Sequence, residues 1–358
     1  MAYIPSTSHV TLLATLRRER TLPVPGEVIV RAGQRVEASD VVAHAEVSTA
    51  HRLLDFARAL GLAAEKADAC LVKQEGEPVK KGEVIAQKSG LLGRRSVTSP
   101  VDGRLVMAHA GKALLAATTT VELRAGLPGT VVNVLPGRSI LIETTGALLD
   151  GLWGNGREDF SVLRLLGEVP EAPLDPAQLE LSLRGAILAA GCLDSPAPLR
   201  ALAEVGVRGL ILGSAPAELV PELAAQTYPV LITDRFGVQG FSQPVFNLLA
   251  GNAGRELWLD ASPPNRFAGT RPEAIIPLPV GHELPPPPLE GEPLKEGKRV
   301  RVLRGPQAGR VGTILGLSER PVSLPNGLRA PVAAVAVDEG RGSRQTVTVP
   351  FANLELLE

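Results

Sequence analysis

The sequence predicts a multidomain α+β protein, with a β-rich module first, a small α/β domain with a parallel sheet second, and a small C-terminal β barrel last. Three observations carry that expectation. Residues 28–43 recur at an offset of 43 as residues 71–86, with the glycine and valine spacing of a strand, turn, strand unit. Between residues 183 and 260, short apolar runs alternate with helical patterns, the signature of a parallel sheet covered by helices. From residue 295 a valine-rich, glycine-punctuated run follows a proline-rich stretch and reads as strand, turn, strand.

Composition sets the outer limits. Lys and Arg number 37 against 38 Asp and Glu in 358 residues, a net charge of −1, which excludes a basic coat for nucleic acid. A hydrophobic share of 44% against 21% charged residues supports buried cores and excludes wholesale disorder. No run of roughly 18 apolar residues occurs, so no membrane partner is expected. Arg17, Arg18 and Arg20 follow the first apolar stretch, the wrong order for a secretory signal, and the expected location is cytoplasmic. Cys70 and Cys192 lie far apart without a C-x-x-C pattern and read as small buried hydrophobes.

Taken in order, residues 1–20 read as an N-terminal tail, and residues 21–159 as a β module with an inserted helix. In the repeat, Gly33 matches Gly76, Val36 Val79, Val41 Val84, and Ala43 Ala86. Between the copies, Ser48-Thr49 reads as the cap of a helix carrying Leu53, Phe56, Ala57 and Leu60, with Gly61 at its left-handed end. Turns are expected at Asp102-Gly103, Pro128-Gly129 and Pro136-Gly137, and residues 151–156 read as a packed glycine-rich turn around Trp153. The order GEPVKKGEVIA followed by SPVDGRLV resembles the biotinyl/lipoyl-like barrel-sandwich hybrid over roughly residues 22–120. That family is built of two quasi-symmetric β halves and also occurs in RNA polymerase and electron-transport subunits. A biotin-carrying member would show Ala-Met-Lys-Met at the hairpin tip, where this chain has Gly90-Leu91-Leu92-Gly93 and Lys88 as a solvated neighbour. The resemblance implies the fold without the cofactor.

Residues 160–262 form the expected α/β domain, with strands at 186–190, 209–213, 228–233 and 257–259 and helices at 195–205, 215–226 and 243–250. Residues 185–213 faintly resemble the swivelling phosphohistidine domain, in which a histidine after the serine carries the phosphoryl group. Here Pro196 follows Ser195, so that chemistry does not transfer. Ser195 reads instead as a helix N-cap with Pro196 at the first helical position. Asp194, Ser195 and Asp234 fall at predicted C-terminal strand ends, where open α/β sheets hold ligands, and mark a candidate pocket.

Residues 263–294 read as a proline-rich linker that holds a C-terminal barrel, 295–358, away from the rest and lets it fold and bind alone. The run VRVLRGPQAGRVGTI resembles the KOW motif of NusG-type transcription factors and ribosomal proteins, which sits on SH3-like barrels. The resemblance implies binding to RNA, ribosome or RNA polymerase surfaces rather than catalysis. From Lys295 to Arg320 seven basic residues face two acidic ones, a local charge of +5 suited to phosphates or to an acidic protein partner. The candidate contact residues are Lys298, Arg299, Arg301, Arg304 and Arg310. Strand parity places Val300 and Val302 in the core and leaves Arg299 and Arg301 exposed.

No catalytic constellation is legible. His9, His44, His51, His109 and His282 lack metal-ligand spacing, no G-x-S-x-G elbow occurs, and Gly111-Lys112-Ala113 lacks the hydroxyl of a phosphate loop. No metal or cofactor is expected. The leading expectation is a non-enzymatic binding protein of the transcription or translation machinery. The alternatives are an interaction scaffold that uses every module for protein assembly, and a ligand-binding or enzymatic α/β domain with a tethered KOW module.

Overall fold

The computed structural model describes residues 5, 7–8, 10–90, 93–265, 270–279, 281, 283–288, 291–338 and 344–357. His9, His282 and the tip residues Leu91 and Leu92 lie outside the described residues. The chain is β-rich and builds several sheets, the largest of eleven strands.

The repeat is present in detail. Gly33 and Gly76 take φ of 83° and 85°, a left-handed turn that a side chain would strain. Val36 and Val79 are buried, as are Ala43 and Ala86. The hydrogen bonds repeat as well. Gly33 N–H donates to Val131 O and Gly76 N–H to Leu105 O, while Val131 N–H and Leu105 N–H return bonds to Gln34 O and Glu77 O. Each copy therefore pairs with a strand of its own, Gly129–Leu135 for the first and Gly103–His109 for the second. The second copy and its partner are nested inside the first.

The expected helix after Ser48 is corrected. Strand Val41–Asp55 continues through Ser48-Thr49, with a bulge at Thr49, and pairs with Lys112–Arg124. Only Phe56–Leu60 is helical, capped by the Asp55 carboxylate on Arg58 N–H and ended by Gly61 at φ 64°. A ladder partner supplies every other backbone group of the ribbon with a bond, which a local serine cap cannot match.

Four strands of the α/β layer, Glu158–Leu165, Ile187–Cys192, Gly209–Ala215 and Val230–Phe236, are parallel and adjacent in that order. Ile187–Cys192 and Gly209–Ala215 are buried throughout because both faces are covered, one by helix Ala197–Val205 and Leu223, the other by helix Gln243–Gly251. Helix Ala197–Val205 has Pro196 at its cap and no side-chain cap bond, so Ser195 does not cap it; Pro196 and Pro198 set the first turn instead. The helical run expected over 215–226 is shortened to Val220–Ala224 behind a single 3₁₀ turn, Ala217–Leu219.

The expected boundaries at 20 and 159 dissolve. Beyond Glu158–Leu165 the same sheet continues through Glu256–Asp260, Glu273–Pro277 and Ser139–Asp150 into the β module. The supposed tail contributes Val10–Thr21, antiparallel to Ser139–Asp150. Its alternation is hard to read because Arg18 and Arg20 stand on the same face as buried Leu16. The linker is corrected too. Strand Glu273–Pro277 lies inside it, with proline only at its last position, where no ladder is interrupted. The Pro285 and Pro286 carbonyls accept bonds from Thr15, so the proline run lies along the sheet rather than spanning solvent.

The C-terminal unit is a six-stranded sheet around Val300, Val302, Ile314, Val335, Val337, Phe351 and Leu356. Strands Arg299–Val302, Val311–Ser323, Arg329–Asp338 and Arg344–Pro350 follow one another in antiparallel pairs. Thr7–Ser8 adds a parallel strand to Leu354–Leu357, so residues 295–358 do not complete the sheet alone. Among the described residues no helix is long and apolar enough to cross a membrane.

Candidate functional site

Two residues singled out for separate roles meet at the junction between the C-terminal unit and the α/β layer. Val300 and Val302 fill the core as parity requires, but Arg301 is only 3% exposed. The face that alternation assigns to solvent packs against the ends of the parallel strands. Arg301 Nη1 lies 3.2 Å from Asp234 Oδ1 and donates to Thr233 O, while Nη2 and Nε bond Glu355 Oε2 at 2.6 and 3.0 Å. Glu355 also holds Arg271 at 2.7 Å. Asp234 Oδ2 accepts from the Thr233 hydroxyl and from Ser242 N–H. At Asp234 the expected pocket is thus occupied by this chain's own guanidinium.

The next residue returns the contact. Arg235 donates from Nη1 to Ala308 O at 2.9 Å and from Nη2 to Gly309 O at 2.7 Å. Burial pulls its guanidinium below the usual range, Asp234 opposes that, and Arg301 and Arg310 push with it. Gly309 has φ 78°, and a Cβ there would come 2.1 Å from Arg235 Cζ, so the glycine is what lets Arg235 approach.

The other candidates separate. Arg299 and Arg304 are exposed, Arg310 is half-buried, and Lys298 is paired with Glu292. Asp194 is exposed and Ser195 half-buried, and among the described residues neither bonds to Asp234. Burial, and then Asp194, push the Cys192 thiol up. Iodoacetamide at neutral pH should therefore label half-buried Cys70 in the native protein and reach buried Cys192 only after denaturation. Native labelling of both at equal rates would contradict this. The glycine-rich turn at 151–156 is a packed corner: Asn155 donates to Tyr228 O and accepts from Val230 N–H.

Beside the junction lies a cleft of about 1820 Å³, bounded by the large sheet, by Pro287 and Pro288, and by Leu303 and Glu355 of the C-terminal unit. Sequence reading missed its floor. Asp150, Glu273, Asp260 and Glu158 stand directly opposite one another on four adjacent strands and so share a face. Arg18 meets Glu273 in two bonds of 2.5 Å, and Arg20 meets Glu158 at 2.6 and 2.5 Å with its guanidinium 5.4 Å over the Trp258 ring. The available signal was the spacing of Leu16, Arg18 and Arg20, which puts all three on one strand face. Burial pushes the Glu273 carboxyl up, Arg18 pulls it back, and Asp150 and Asp260 push it further. Among the described residues no His, Cys, Asp and Glu group has the arrangement of a metal site. Neither a protein-family model nor a curated protein matches the chain.

Proposed function

We propose that the chain is a non-enzymatic, cytoplasmic binding protein of the transcription or translation machinery, docking on RNA, ribosome or RNA polymerase through exposed basic residues of its C-terminal unit. In this reading residues 295–358 are a KOW-type SH3-like barrel, and residues 21–159 a barrel-sandwich hybrid without a modified lysine. The observation that carries it is the exposure of Arg299 and Arg304, which among the described residues have no ion-pair partner. Lys295 and Arg320 are exposed as well. In the folded chain Arg301 and Lys298 are paired with carboxylates and Arg310 lies near Arg235, so the reading rests first on Arg299 and Arg304.

The test is fluorescence anisotropy of the full chain with a labelled single-stranded RNA over a salt series. Arg299→Glu with Arg304→Glu should weaken binding at least tenfold and flatten the slope of log affinity against log salt by about 1.4, two contacts at roughly 0.7 each. An unchanged slope with an unchanged circular dichroism spectrum would remove these residues from the interface. A second reading, a scaffold for an acidic protein partner, is favoured by exposed Leu315, Val322 and Leu328 beside Arg320 and Arg329. Phosphate contacts do not need such apolar surface. Capture of a protein partner that survives ribonuclease treatment, with RNA crosslinking at background, would select it.

A further inference from the structure

We propose that the junction is a charge lock that withholds Arg301 from solvent, and that an anionic partner opens it by replacing Asp234 and Glu355 as the counter-charge of Arg301. This lock, which rests on the binding role proposed above, adds regulation to it. An isolated basic barrel would be permanently competent. Here part of the basic segment is already occupied within the chain.

Three observations carry the lock. Among the described residues the junction has no apolar core: the buried cluster of the C-terminal unit draws only on residues 294–356, and those of the α/β layer only on residues 10–278. Interfaces of that kind inside one chain permit relative motion, because separation exposes little hydrocarbon. The bonds are also reciprocal and concentrated. Arg301 reaches Thr233 and Asp234 from one side, and Arg235 reaches Ala308 and Gly309 from the other, so one small displacement breaks both halves, while Arg271 on Glu355 and Thr7–Ser8 on Leu354–Leu357 stay as tethers. Finally, the lock is made of charges. Opening returns Arg301, Asp234 and Glu355 to water, and recovered hydration offsets most of the lost Coulomb attraction. A phosphate group can then take the guanidinium in a bidentate contact as good as a carboxylate's.

Closure is set by the body as well as by the C-terminal unit, and this makes the proposal testable without touching a basic residue of that unit. Arg235→Ala removes the body's half of the lock, and Arg235→Lys keeps the charge but loses the two-pronged contact. Both are made in the full chain, with circular dichroism as the check on folding. Amide hydrogen exchange is followed at Gly309 and Ser242, and binding is followed with a labelled single-stranded RNA.

In Arg235→Ala, exchange at Gly309, whose N–H bonds Val302 O, and at Ser242 should rise by roughly tenfold or more, since two bonds from a charged donor are lost. RNA affinity should rise with it, as the competent fraction grows. Arg235→Lys should fall between the two. RNA added to the native chain should itself raise exchange at Ser242. Unchanged exchange in Arg235→Ala overturns the lock. Raised exchange with unchanged affinity overturns the withholding of Arg301. Raised exchange with no RNA binding by either protein overturns the binding role and the partner-driven opening together, while showing that the mechanical lock exists.

Discussion

Arg301→Glu should break the junction and cost about 3–5 kcal/mol in the closed arrangement, the penalty for stranding buried Asp234 without its guanidinium and leaving Glu355 with Arg271 alone. Strand parity alone would place this residue outside and make the change harmless to the fold. The structure reverses that expectation, since a glutamate here would face Asp234 and Glu355 in a site only 3% exposed at Arg301. The chain can escape part of the cost by letting the C-terminal unit swing out so that all three carboxylates rehydrate. The expected result is therefore a lowered denaturation midpoint together with a larger radius of gyration in X-ray scattering. Arg301→Lys should recover only part of the loss, because an ammonium cannot serve Thr233 O, Asp234 and both bonds to Glu355 at once. A native midpoint and native dimensions for Arg301→Glu would mean that the junction does not hold the unit in solution.

The reason parity failed at Arg301 also marks the limit of sequence reading in this protein. Alternation reports which residues share a face, and it placed Val300 and Val302 correctly. It does not report what the other face meets. Where a strand faces water on one side, as the ribbon Val41–Asp55 does over much of its length, the two questions have the same answer. Where two units pack through charges, they do not, and an arginine on a contact face looks like an arginine in solvent. The same ambiguity hid Arg18 and Arg20 in a supposed tail. The repeat was legible because its glycines and valines are backbone and core requirements that local sequence must meet. Its partner strands were not, since their pairing is long-range and only Gly103 and Gly129 hint at it. Proline misled in the opposite direction. Its density over 263–294 suggested a spacer, but Glu273–Pro277 has four proline-free residues before its end, enough to complete a central strand.

Arg18→Met should destabilise the large sheet by about 3–5 kcal/mol at neutral pH, and the loss should shrink as pH falls. Arg18 supplies a two-pronged counter-charge to Glu273, which is buried and has Asp150 and Asp260 directly opposite it on the neighbouring strands. With the guanidinium gone, burial and both neighbours act on Glu273 in one direction, upward from the ordinary 4.5. A carboxyl raised in the folded state binds more protons there than in the unfolded chain, so stability declines as pH rises through the window above 4.5 and is recovered as pH falls back toward it. The native protein, in which Arg18 opposes that shift, should show a shallower dependence. Urea denaturation at neutral and mildly acidic pH should therefore find the gap between variant and native protein narrowing on acidification. Adding Glu273→Gln to Arg18→Met should restore much of the neutral-pH loss and flatten the variant's pH dependence, because a neutral amide has no charge to strand. A gap that stays constant with pH, or a double variant no better than the single one, would mean that Arg18 acts through packing of its stem rather than through its charge.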